Sequence, residues 1–303
     1  MASVNSELYE QYRHLLFSIA YRMLGSAMEA EDMVQEAFIR YENSHDKDIQ
    51  SPKAYLTTIV TRLCLDQLKS AKTQREQYIG TWLPEPIFTE QAASPEPDET
   101  ETLSMAFMVL LENLSPVERA VFLLREVFDY DYAAIAKIVN KNEANCRRYY
   151  HLAKQYLVER RPRFEPSSAE QTKLVHQFLQ TIAQGDIDGL THMLSEDIVM
   201  YADGGGKAPV ARIPQQGREA VTRLIMGVFR WLTPDTRIQL HDVNSSLSLV
   251  VWQGDALVFI MNFNIVDNQI MTIRNVINPD KLNYIAHSDA PTSSESIDLQ
   301  PPN

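Results

Sequence analysis

Proline-rich segments interrupt the hydrophobic period of this chain twice, and each interruption predicts a boundary between domains. The first, residues 78–101, holds four prolines and six acidic residues. The second, residues 162–168, reads PRFEPSS, and the period of the pattern changes beyond it. Length alone predicts about two domains of ~150 residues, and an apolar content of 45% is ample for packed cores. We therefore expect domains at 1–77, 102–163 and 168–285, with an acidic linker between the first two.

The residues before the second interruption have the pattern of helices. Apolar residues from Leu8 to Leu24 recur at helical spacing. Ser115, followed by Pro116 and then by Glu118, is a start signal for another helix. We expect a helical bundle before the acidic linker and a smaller helical domain after it.

The second helical domain carries a strongly basic stretch. Residues 137–163 hold eight Lys or Arg against two Glu, a net charge of +6 in a chain whose net charge is −12. An apolar helix, a short polar turn and a basic helix follow one another here. This is the pattern of a helix-turn-helix whose second helix enters the major groove of DNA, with a solvated basic surface as the alternative. Because the whole chain is acidic, we expect any DNA binding to be local and assisted by a partner.

Residues 170–285 combine helical and strand-like patterns. Two helical segments and a strand, DIVMYAD, precede a glycine loop and a further helix. Strand-like runs then follow one another, the last after a turn at Asp267 and Asn268. Short turns of this kind favour an antiparallel sheet with the helices packed on one face, which is an α+β domain. Residues 286–303 have no apolar period, and we expect them to be disordered.

Composition excludes several classes of site and location. Cys64 and Cys146 are far apart and lie in predicted helices, which fits packing residues in a reducing compartment and neither a disulfide framework nor a metal site. The first residues lack the pattern of a signal peptide, and no apolar run reaches the roughly 18 residues of a membrane span. We expect a cytoplasmic protein that requires no cofactor and binds neither metal nor membrane.

The helical part resembles the extracytoplasmic-function (ECF) group of bacterial RNA polymerase sigma factors. AEDMVQEAFIR is similar to the helix with which this group binds the polymerase clamp, and AYLTTIVTRLCLDQLKS to its helix facing the promoter minus-ten element. Residues 114–154 are similar to its minus-thirty-five reader. The resemblance implies a multidomain protein that begins with two all-α sigma domains, a helical bundle and a helix-turn-helix domain.

One ECF subgroup has a fused C-terminal SnoaL-like domain and short motifs, and the rest of this chain resembles that subgroup. WLPEP at 82–86, DGGGK at 203–207 and NPDKL at 278–282 match those motifs. The resemblance implies an α+β, cone-shaped domain that regulates the sigma domains in cis, so that no separate anti-sigma factor is required. It also implies two partners: promoter DNA, and core RNA polymerase, bound through the clamp of its largest subunit and the flap of its second-largest.

The same resemblance assigns candidate residues to each surface. For polymerase these are Asp32, Gln35 and Glu36, whose spacing places them on one helix face. For the minus-ten element they are Tyr55, Thr58, Arg62, Asp66, Lys69 and Lys72. For the minus-thirty-five element they are Glu143, Asn145, Arg147, Arg148, His151 and Lys154. Many members carry Trp near position 55 and Asn at position 62, so this chain departs from the commoner minus-ten pattern, and Tyr55 fits a core position equally well.

The regulatory contact is expected where the linker meets the C-terminal domain. Trp82 and Leu83 form a large apolar pair that is unusual in a flexible spacer, and this indicates docking. The expected contact residues are Trp82, Leu83, Pro84, Asp203, Gly204, Gly205, Gly206, Lys207, Asn278, Pro279, Asp280, Lys281 and Leu282. The consecutive glycines supply backbone freedom, and their spacing is not that of a phosphate-binding loop.

Two other functions stay open at this point. One is an independent helix-turn-helix regulator with a ligand-sensing domain. The other is an enzyme, because SnoaL-like folds elsewhere enclose a pocket in which Asp or His acts as a general base. The candidates for such a base are Asp203, His192, His241 and Asp242. We expect no catalysis, since Asp203 belongs to a glycine loop, and we leave the identity of any small-molecule ligand open.

Overall fold

The computed structural model describes residues 2–44, 49–76, 78–92, 102–160, 168–230, 233–288 and 295–297. The chain divides into two compact units. The first unit comprises Met1–Gln77 and Thr89–Arg161, and the second comprises Tyr78–Phe88 and Pro162–Asn303. The predicted linker is therefore not one structural segment, because its first eleven residues belong to the same unit as the C-terminal domain. Within the described residues, no helix is long and apolar enough to cross a membrane.

The described part of the first unit is helical throughout, as predicted. Its helices are α1 (Ala2–Leu24), α2 (Ala27–Glu42), α3 (Pro52–Glu76), α4 (Thr89–Ala92), α5 (Met105–Leu111), α6 (Pro116–Glu126), α7 (Tyr132–Val139) and α8 (Glu143–Arg160). Local sequence signals begin several of them. Ser26 accepts a hydrogen bond from the Glu29 N–H at 3.2 Å, and Ser115 and Glu118 form a capping box at the start of α6.

Helices α7 and α8 form the predicted helix-turn-helix. Asn140 ends α7 in the left-handed conformation, with φ of 52°, which asparagine tolerates better than most residues. Two residues later, Asn142 accepts a hydrogen bond from the Asn145 N–H at 2.8 Å at the start of α8. Cys146, on α8, is fully buried, which agrees with the predicted packing role. The turn therefore fixes the two helices against each other and leaves the outer face of α8 exposed.

The second unit contains the α+β domain. Its helices are α9 (Ser168–Ala183), α10 (Ile187–Met193), α11 (Arg218–Phe229) and α12 (Pro279–Ala286). Its strands are β1 (Leu194–Asp203), β2 (Gln215–Gln216), β3 (Thr236–Val243), β4 (Ser246–Gln253), β5 (Ala256–Val266), β6 (Gln269–Val276) and β7 (Glu295–Ile297). Side chains of α9, α10 and α11 share a buried apolar core with one face of the sheet.

The sheet has the order β2-β1-β6-β5-β4-β3-β7. Strands β3 to β6 form the expected antiparallel meander, and Asp267 and Asn268 both adopt positive φ in its last turn. The pairing of β1 with β6 is parallel, which the prediction of an antiparallel sheet did not include. Strands β1 and β6 are far apart in the chain, with α11 and the rest of the meander between them. Parallel neighbours need such a long connection, so the residues of a single turn do not determine this pairing.

The prediction of a disordered C-terminal tail is wrong at Ala286, which is the last residue of α12, and the tail differs from it at three further residues. Glu295–Ile297 form β7 and pair antiparallel with Ile238, Gln239 and Leu240 of β3, whereas the sequence predicts disorder over 286–303. Strand β3 is at the edge of the meander, and an edge strand offers unpaired N–H and C=O groups to any short extended segment. The prediction of disorder is therefore wrong for these three residues.

Candidate linker clamp and nucleic-acid-binding surfaces

The segment Tyr78–Phe88 lies within the second unit and is buried along most of its length. Its C-terminal end is fixed to the turn between β3 and β4, where the Ile87 N–H donates to Asn244 Oδ1 at 3.2 Å and the Asn244 N–H donates to the Ile87 C=O at 3.0 Å. The Phe88 ring packs 5.1 Å from the ring of His241. Ile87 and Phe88 are at most 1% exposed, so this end of the segment is an integral part of a core.

The N-terminal end of the segment is held by Asp203, the last residue of β1. The Asp203 side chain is fully buried, and it accepts hydrogen bonds from the Leu83 N–H at 2.8 Å, from the Gly205 N–H at 3.1 Å and from the Tyr78 hydroxyl. Lys281 of α12 forms an ion pair with it at 2.7 Å. A carboxylate without exposure is tolerated because a cation and several donors surround it.

Lys281 reaches the linker segment as well as Asp203. Its ammonium donates to the Leu83 C=O, and it lies 4.2 Å from the centre of the Trp82 ring and 4.9 Å from that of Tyr78. One lysine therefore contacts the backbone and two aromatic rings of the segment while it neutralises Asp203.

Asn278 completes the cluster. Its side-chain amide donates to the Tyr78 hydroxyl at 3.0 Å, and its Oδ1 accepts from the Asp280 N–H at the start of α12. Its own backbone N–H donates to the Asp203 C=O at 2.8 Å. We call Tyr78, Leu83, Asp203, Asn278 and Lys281 the linker clamp. WLPEP, DGGGK and NPDKL thus meet in one place, while the regulatory role of their residues stays a prediction.

The glycines of DGGGK let the backbone approach the clamp. Gly205 has φ of 58°, and a Cβ added there would lie 2.2 Å from Asn278 Nδ2. Beyond the glycines, Lys207 forms an ion pair with Asp280, and both side chains are more than half exposed. Pro279 is also exposed. The motif therefore contains one buried contact, at Asp203, and one exposed contact, at Lys207.

Burial, and secondarily the hydrogen bond to Asp203, raise the pKa of Tyr78 well above its usual range. The phenol therefore stays protonated and acts as a donor to the carboxylate. Tyr78 is not among the predicted contact residues because it stands at the start of the predicted linker, outside the three motifs. An aromatic residue four positions before WLPEP is the signal that points to it.

The proposed polymerase-binding residues lie on the surface of α2. Asp32 and Gln35 are exposed, and Glu36 forms an ion pair with Arg40 at 2.7 Å one turn later. The same helix also exposes Met28 and Ile39, each at 51%. Single exposed apolar residues are normal on a protein surface, so Met28 and Ile39 do not by themselves mark an interface. Met28 and Ile39 were missed because the sequence pattern alone does not separate them from core positions.

The minus-ten candidates on α3 fall into different environments. Tyr55 is half-buried with its ring 6.0 Å from that of Tyr41, and the Thr58 hydroxyl donates to the Ala54 C=O within its own helix. Asp66 and Lys69 form an exposed ion pair at 2.8 Å. Lys72 belongs to α3, but its side chain lies outside the described residues. The spacing of three and four residues places Tyr55, Thr58, Asp66 and Lys69 on one side of α3, where Asp66 and Lys69 are exposed and Tyr55 and Thr58 are half-buried.

Arg62 contacts the helix-turn-helix domain. Its guanidinium donates to the Ile138 C=O at 3.0 Å and to the Lys137 C=O at 2.8 Å, at the end of α7, where carbonyls lack partners in their own helix. Nearby, the Tyr130 hydroxyl donates to Thr57 of α3 at 2.9 Å. In this structure the predicted DNA-binding arginine is bound to protein.

A groove of about 550 Å³ separates α3 from the turn of the helix-turn-helix. Arg62, Asp66 and Lys69 line it from α3, and Asn140 and Lys141 line it from the turn. Minus-ten candidates and the helix-turn-helix turn thus share one cavity within the first unit.

The minus-thirty-five candidates lie along α8. Asn145, Arg148 and His151 are exposed, as major-groove contacts must be. Arg147 pairs with Glu143 at 2.7 Å, and Lys154 pairs with Glu126 at 2.9 Å. Arg147 and Lys154 are exposed as well, but unlike Asn145, Arg148 and His151 they are held in ion pairs with acidic residues.

Glu126 is held in its ionised form by this arrangement. Burial alone would raise its pKa, but hydrogen bonds from Tyr150 and Lys154 hold the pKa below its usual range. Lys154 in turn has a raised pKa, chiefly through its hydrogen bond with Tyr150. A phosphate that binds Lys154 would have to compete with this carboxylate.

The four candidate general bases do not meet in one site. Asp203 belongs to the linker clamp, and the His192 ring bonds to the Asp188 C=O in its own helix. His241 is buried beside Phe88, and burial lowers its pKa, whereas the adjacent Asp242 is exposed. The arrangement has the geometry of packing and capping, without a shared pocket for these four side chains.

Comparison with known proteins agrees with this architecture. Residues 8–74 match the model of sigma-70 region 2, residues 104–157 that of sigma-70 region 4, and residues 175–273 that of the SnoaL-like domain. The ECF RNA polymerase sigma factor SigJ of Mycobacterium tuberculosis is 37% identical over 232 residues, which cover 75% of this chain and 73% of the relative.

Two further similarities extend over nearly the whole chain. The probable ECF RNA polymerase sigma factor SigI of Mycobacterium tuberculosis is 29% identical over 91% of this chain and 94% of its own length. The crystal structure of the Mycobacterium tuberculosis sigma factor SigJ matches 91% of this chain and 97% of its own with a TM-score of 0.72 at 31% identity. The chain therefore belongs to the ECF family of RNA polymerase sigma factors, in the form that carries a C-terminal SnoaL-like domain.

Proposed function

We propose that the C-terminal domain of this sigma factor regulates promoter-specific initiation in cis, through the linker clamp. The observation that carries the proposal is the buried ion pair of Lys281 with Asp203, which holds Leu83 by both its N–H and its C=O. The held segment lies, in sequence, between the two domains that the family uses on DNA. A domain that binds this segment acts on the connection between the two readers.

The length of the held segment sets the size of the effect. Eleven residues, Tyr78–Phe88, belong to the C-terminal domain's unit. If they were released and fully extended, they would span up to roughly 36–40 Å of the tether between the two sigma domains. A promoter requires a defined spacing between its two elements, so the state of the linker clamp would change which promoter geometry the factor accepts.

We further propose that polymerase binds the exposed face of α2, with Asp32, Gln35 and Glu36 as polar contacts and Met28 and Ile39 as apolar ones. By family resemblance, the partner there is the clamp of the largest subunit, and region 4 binds the flap of the second-largest. The net charge of −12 supports dependence on polymerase, because free DNA would meet an acidic protein. We infer from these partners that the protein acts in the cytoplasm.

On DNA, the exposed Asn145, Arg148 and His151 are the stronger candidates for base contacts at the minus-thirty-five element. Use of Arg62 at the minus-ten element requires it to leave the two α7 carbonyls that now accept its hydrogen bonds. We propose that this exchange accompanies promoter binding.

We also infer that the SnoaL-like domain is not an enzyme, and that its hold on the linker removes the need for a separate anti-sigma factor. Asp203, one of the four candidate general bases, is fully buried and neutralised by Lys281. A general base must reach the proton of a bound substrate, and this carboxylate is enclosed by the linker segment.

Run-off transcription with core RNA polymerase tests the regulatory proposal, on a promoter selected with the wild-type chain. Lys281→Met removes the buried charge of the clamp. Lys207→Met removes an exposed charge that pairs with Asp280, the residue directly before Lys281. We expect a several-fold change in transcript yield for the first variant and less than a twofold change for the second. Equal yields from both variants and the wild type would exclude regulation through the linker clamp.

Footprinting distinguishes the alternative of an independent regulator. A sigma factor protects its promoter only with core polymerase present. Specific protection by the isolated protein, unchanged when polymerase is added, would instead favour an independent helix-turn-helix regulator.

A further inference from the structure

Asn275 of β6 is a buried amide without a hydrogen-bond partner among the described residues. The residue is 0% exposed, and neither its Oδ1 nor its Nδ2 is paired. Its buried neighbours behave differently: Asn262 donates to Ser248 at 3.1 Å, and Asn278 donates to Tyr78 at 3.0 Å. Because buried polar groups are nearly always paired, an amide with two unpaired ends indicates a missing partner.

Asn275 faces a cavity. It lies opposite Ala202 of β1 and Met261 of β5, so it shares the face of the sheet that packs against the helices. A cavity of about 340 Å³ adjoins it, with walls from Met200, Ala202, Leu224, Val228 and Ile277 and an edge at the loop 209–211. This volume lies at the lower end of the range of small-molecule sites, roughly 300–1,000 Å³.

The walls of the cavity decide what fits. Among the described lining residues, Asn275 alone has a polar side chain, and none has an ionisable one. A charged ligand would lose its hydration without gaining a counter-ion. A single water molecule needs about two to four polar partners, and Asn275 is the one side chain among the described lining residues that offers any. The cavity therefore suits a neutral and largely apolar molecule.

The amide decides the polar part of that molecule. Asn275 offers an N–H donor beside a carbonyl acceptor, so only a group with the complementary acceptor and donor satisfies both atoms. A lactam or a cis secondary amide has this edge, whereas a ketone or an N-alkylated amide satisfies one atom and leaves the other unpaired. We propose that the cavity binds a small apolar ring compound that presents a lactam-type N–H and C=O edge to Asn275.

The site adjoins the linker clamp. Ala202 lines the cavity and is followed by Asp203, and Ile277 lines it and is followed by Asn278. A molecule in the cavity therefore touches residues whose next neighbours hold the linker. Binding itself does not depend on the regulatory proposal, and either can fail without the other.

Binding is tested on the full chain with 2-quinolone as the probe, followed by methyl NMR signals of Met200, Leu224 and Val228. N-methyl-2-quinolone lacks the donor, 4-methyl-2-quinolone keeps it with the same added bulk, and naphthalene lacks the polar edge. We expect saturable binding of the two lactams with an N–H, at least tenfold tighter than of the other two compounds. Equal affinity for all four, or no saturable shift with 2-quinolone, would overturn the proposal.

Two variants test the role of the amide. Asn275→Leu keeps the branched shape of the side chain, and the adjoining cavity accommodates its larger methyl groups; it should abolish the tenfold preference while raising the melting temperature of the ligand-free protein, because it removes an unsatisfied amide. Asn262→Leu, on the opposite face of the neighbouring strand, breaks a satisfied hydrogen bond, so it should lower the melting temperature and leave the preference intact. A preference that survives Asn275→Leu would show that the amide does not select the ligand. If Asn275→Leu fails to fold, the comparison of the four compounds on the wild-type chain still decides the matter.

Discussion

Lys281→Met isolates the buried charge of the linker clamp with little change of side-chain volume. The substitution removes the ion pair to Asp203 at 2.7 Å, the hydrogen bond to the Leu83 C=O and the cation–π contact with Trp82 at 4.2 Å. It leaves Asp203 fully buried with donors from Tyr78, Leu83 and Gly205. The carboxylate then lacks its counter-ion but keeps these hydrogen bonds.

The expected magnitude follows from that geometry. Removal of one member of a buried ion pair costs about 3–5 kcal/mol, because the other charge stays buried. The remaining donors to Asp203 place the expected cost at the lower end, about 3 kcal/mol. Since each 1.4 kcal/mol is a factor of about ten in an equilibrium constant, local opening at the clamp should become roughly a hundredfold more frequent. Solvent does not reduce this figure much, since Lys281 and Asp203 are 8% and 0% exposed.

Hydrogen exchange at the Leu83 amide measures the opening directly, because this N–H donates to Asp203. A local probe is needed because a chain of two compact units has no single free energy of unfolding. Lys207→Met is the matched control: its ion pair is 56% and 59% exposed, so its loss costs less than about 1 kcal/mol. Leu83 protection that changes by less than about threefold in Lys281→Met, or equally in both variants, would refute this account of the clamp.

Three further predictions concern other parts of the chain. Burial lowers the pKa of His241, so the stability of its unit should fall as the pH drops from about 6.5, the pKa in the unfolded chain, through the lower pKa in the folded chain. Melting temperatures measured against pH should show this fall, and His241→Gln should flatten it. Gly205→Ala should break the clamp, since a Cβ would lie 2.2 Å from Asn278 Nδ2 at a φ of 58°, whereas Gly227→Ala meets nothing within 4 Å and should leave Leu83 exchange unchanged. Arg62→Ala removes two hydrogen bonds to α7 and should loosen the α3–α7 contact by about 1–3 kcal/mol, measured as exchange of the α7 amides; unchanged exchange would contradict the contact.

Local signals allowed much of this fold to be predicted. The capping box at Ser115 and Glu118, the turn at Asp267 and Asn268 and the basic helix after Asn142 are each encoded within a few residues of the element they begin or end. Such signals act over one turn of chain, and the structure confirms them. They also place Asp203 at the junction of a strand and a glycine loop, and in the structure Asp203 is the last residue of β1.

Long-range partners could not be predicted in the same way. The parallel pairing of β1 with β6, the attachment of β7 to β3 and the contact of Arg62 with α7 each join segments more than fifty residues apart. An alternating pattern shows that a strand has a buried face, but it does not name its neighbour. Asn275 was missed for a related reason, because a lone polar residue in a strand does not reveal whether its partner is protein or ligand.

The two ends of the linker segment are held by different interactions, and this predicts release in two steps. At the Phe88 end, Ile87 and Phe88 are buried and the backbone is paired with Asn244, so burial of about 1.5–3 kcal/mol per side chain holds it without any charge. At the other end Leu83 is buried as well, but there the backbone of Leu83 also depends on the buried ion pair of Lys281 with Asp203. A buried ion pair adds little net stability relative to apolar packing, yet its disruption is costly, which makes this end sensitive to small changes.

Lys281→Met should therefore raise exchange at the Leu83 amide while the Asn244 amide, which donates to the Ile87 C=O at 3.0 Å, keeps its protection. Phe88→Ala should raise exchange at the Asn244 amide while the Leu83 amide keeps its protection, because this substitution removes buried apolar surface at the Phe88 end. If both amides lose protection together in either variant, the segment leaves as one piece, and the linker clamp would then be a general support for the domain instead of the end that opens first.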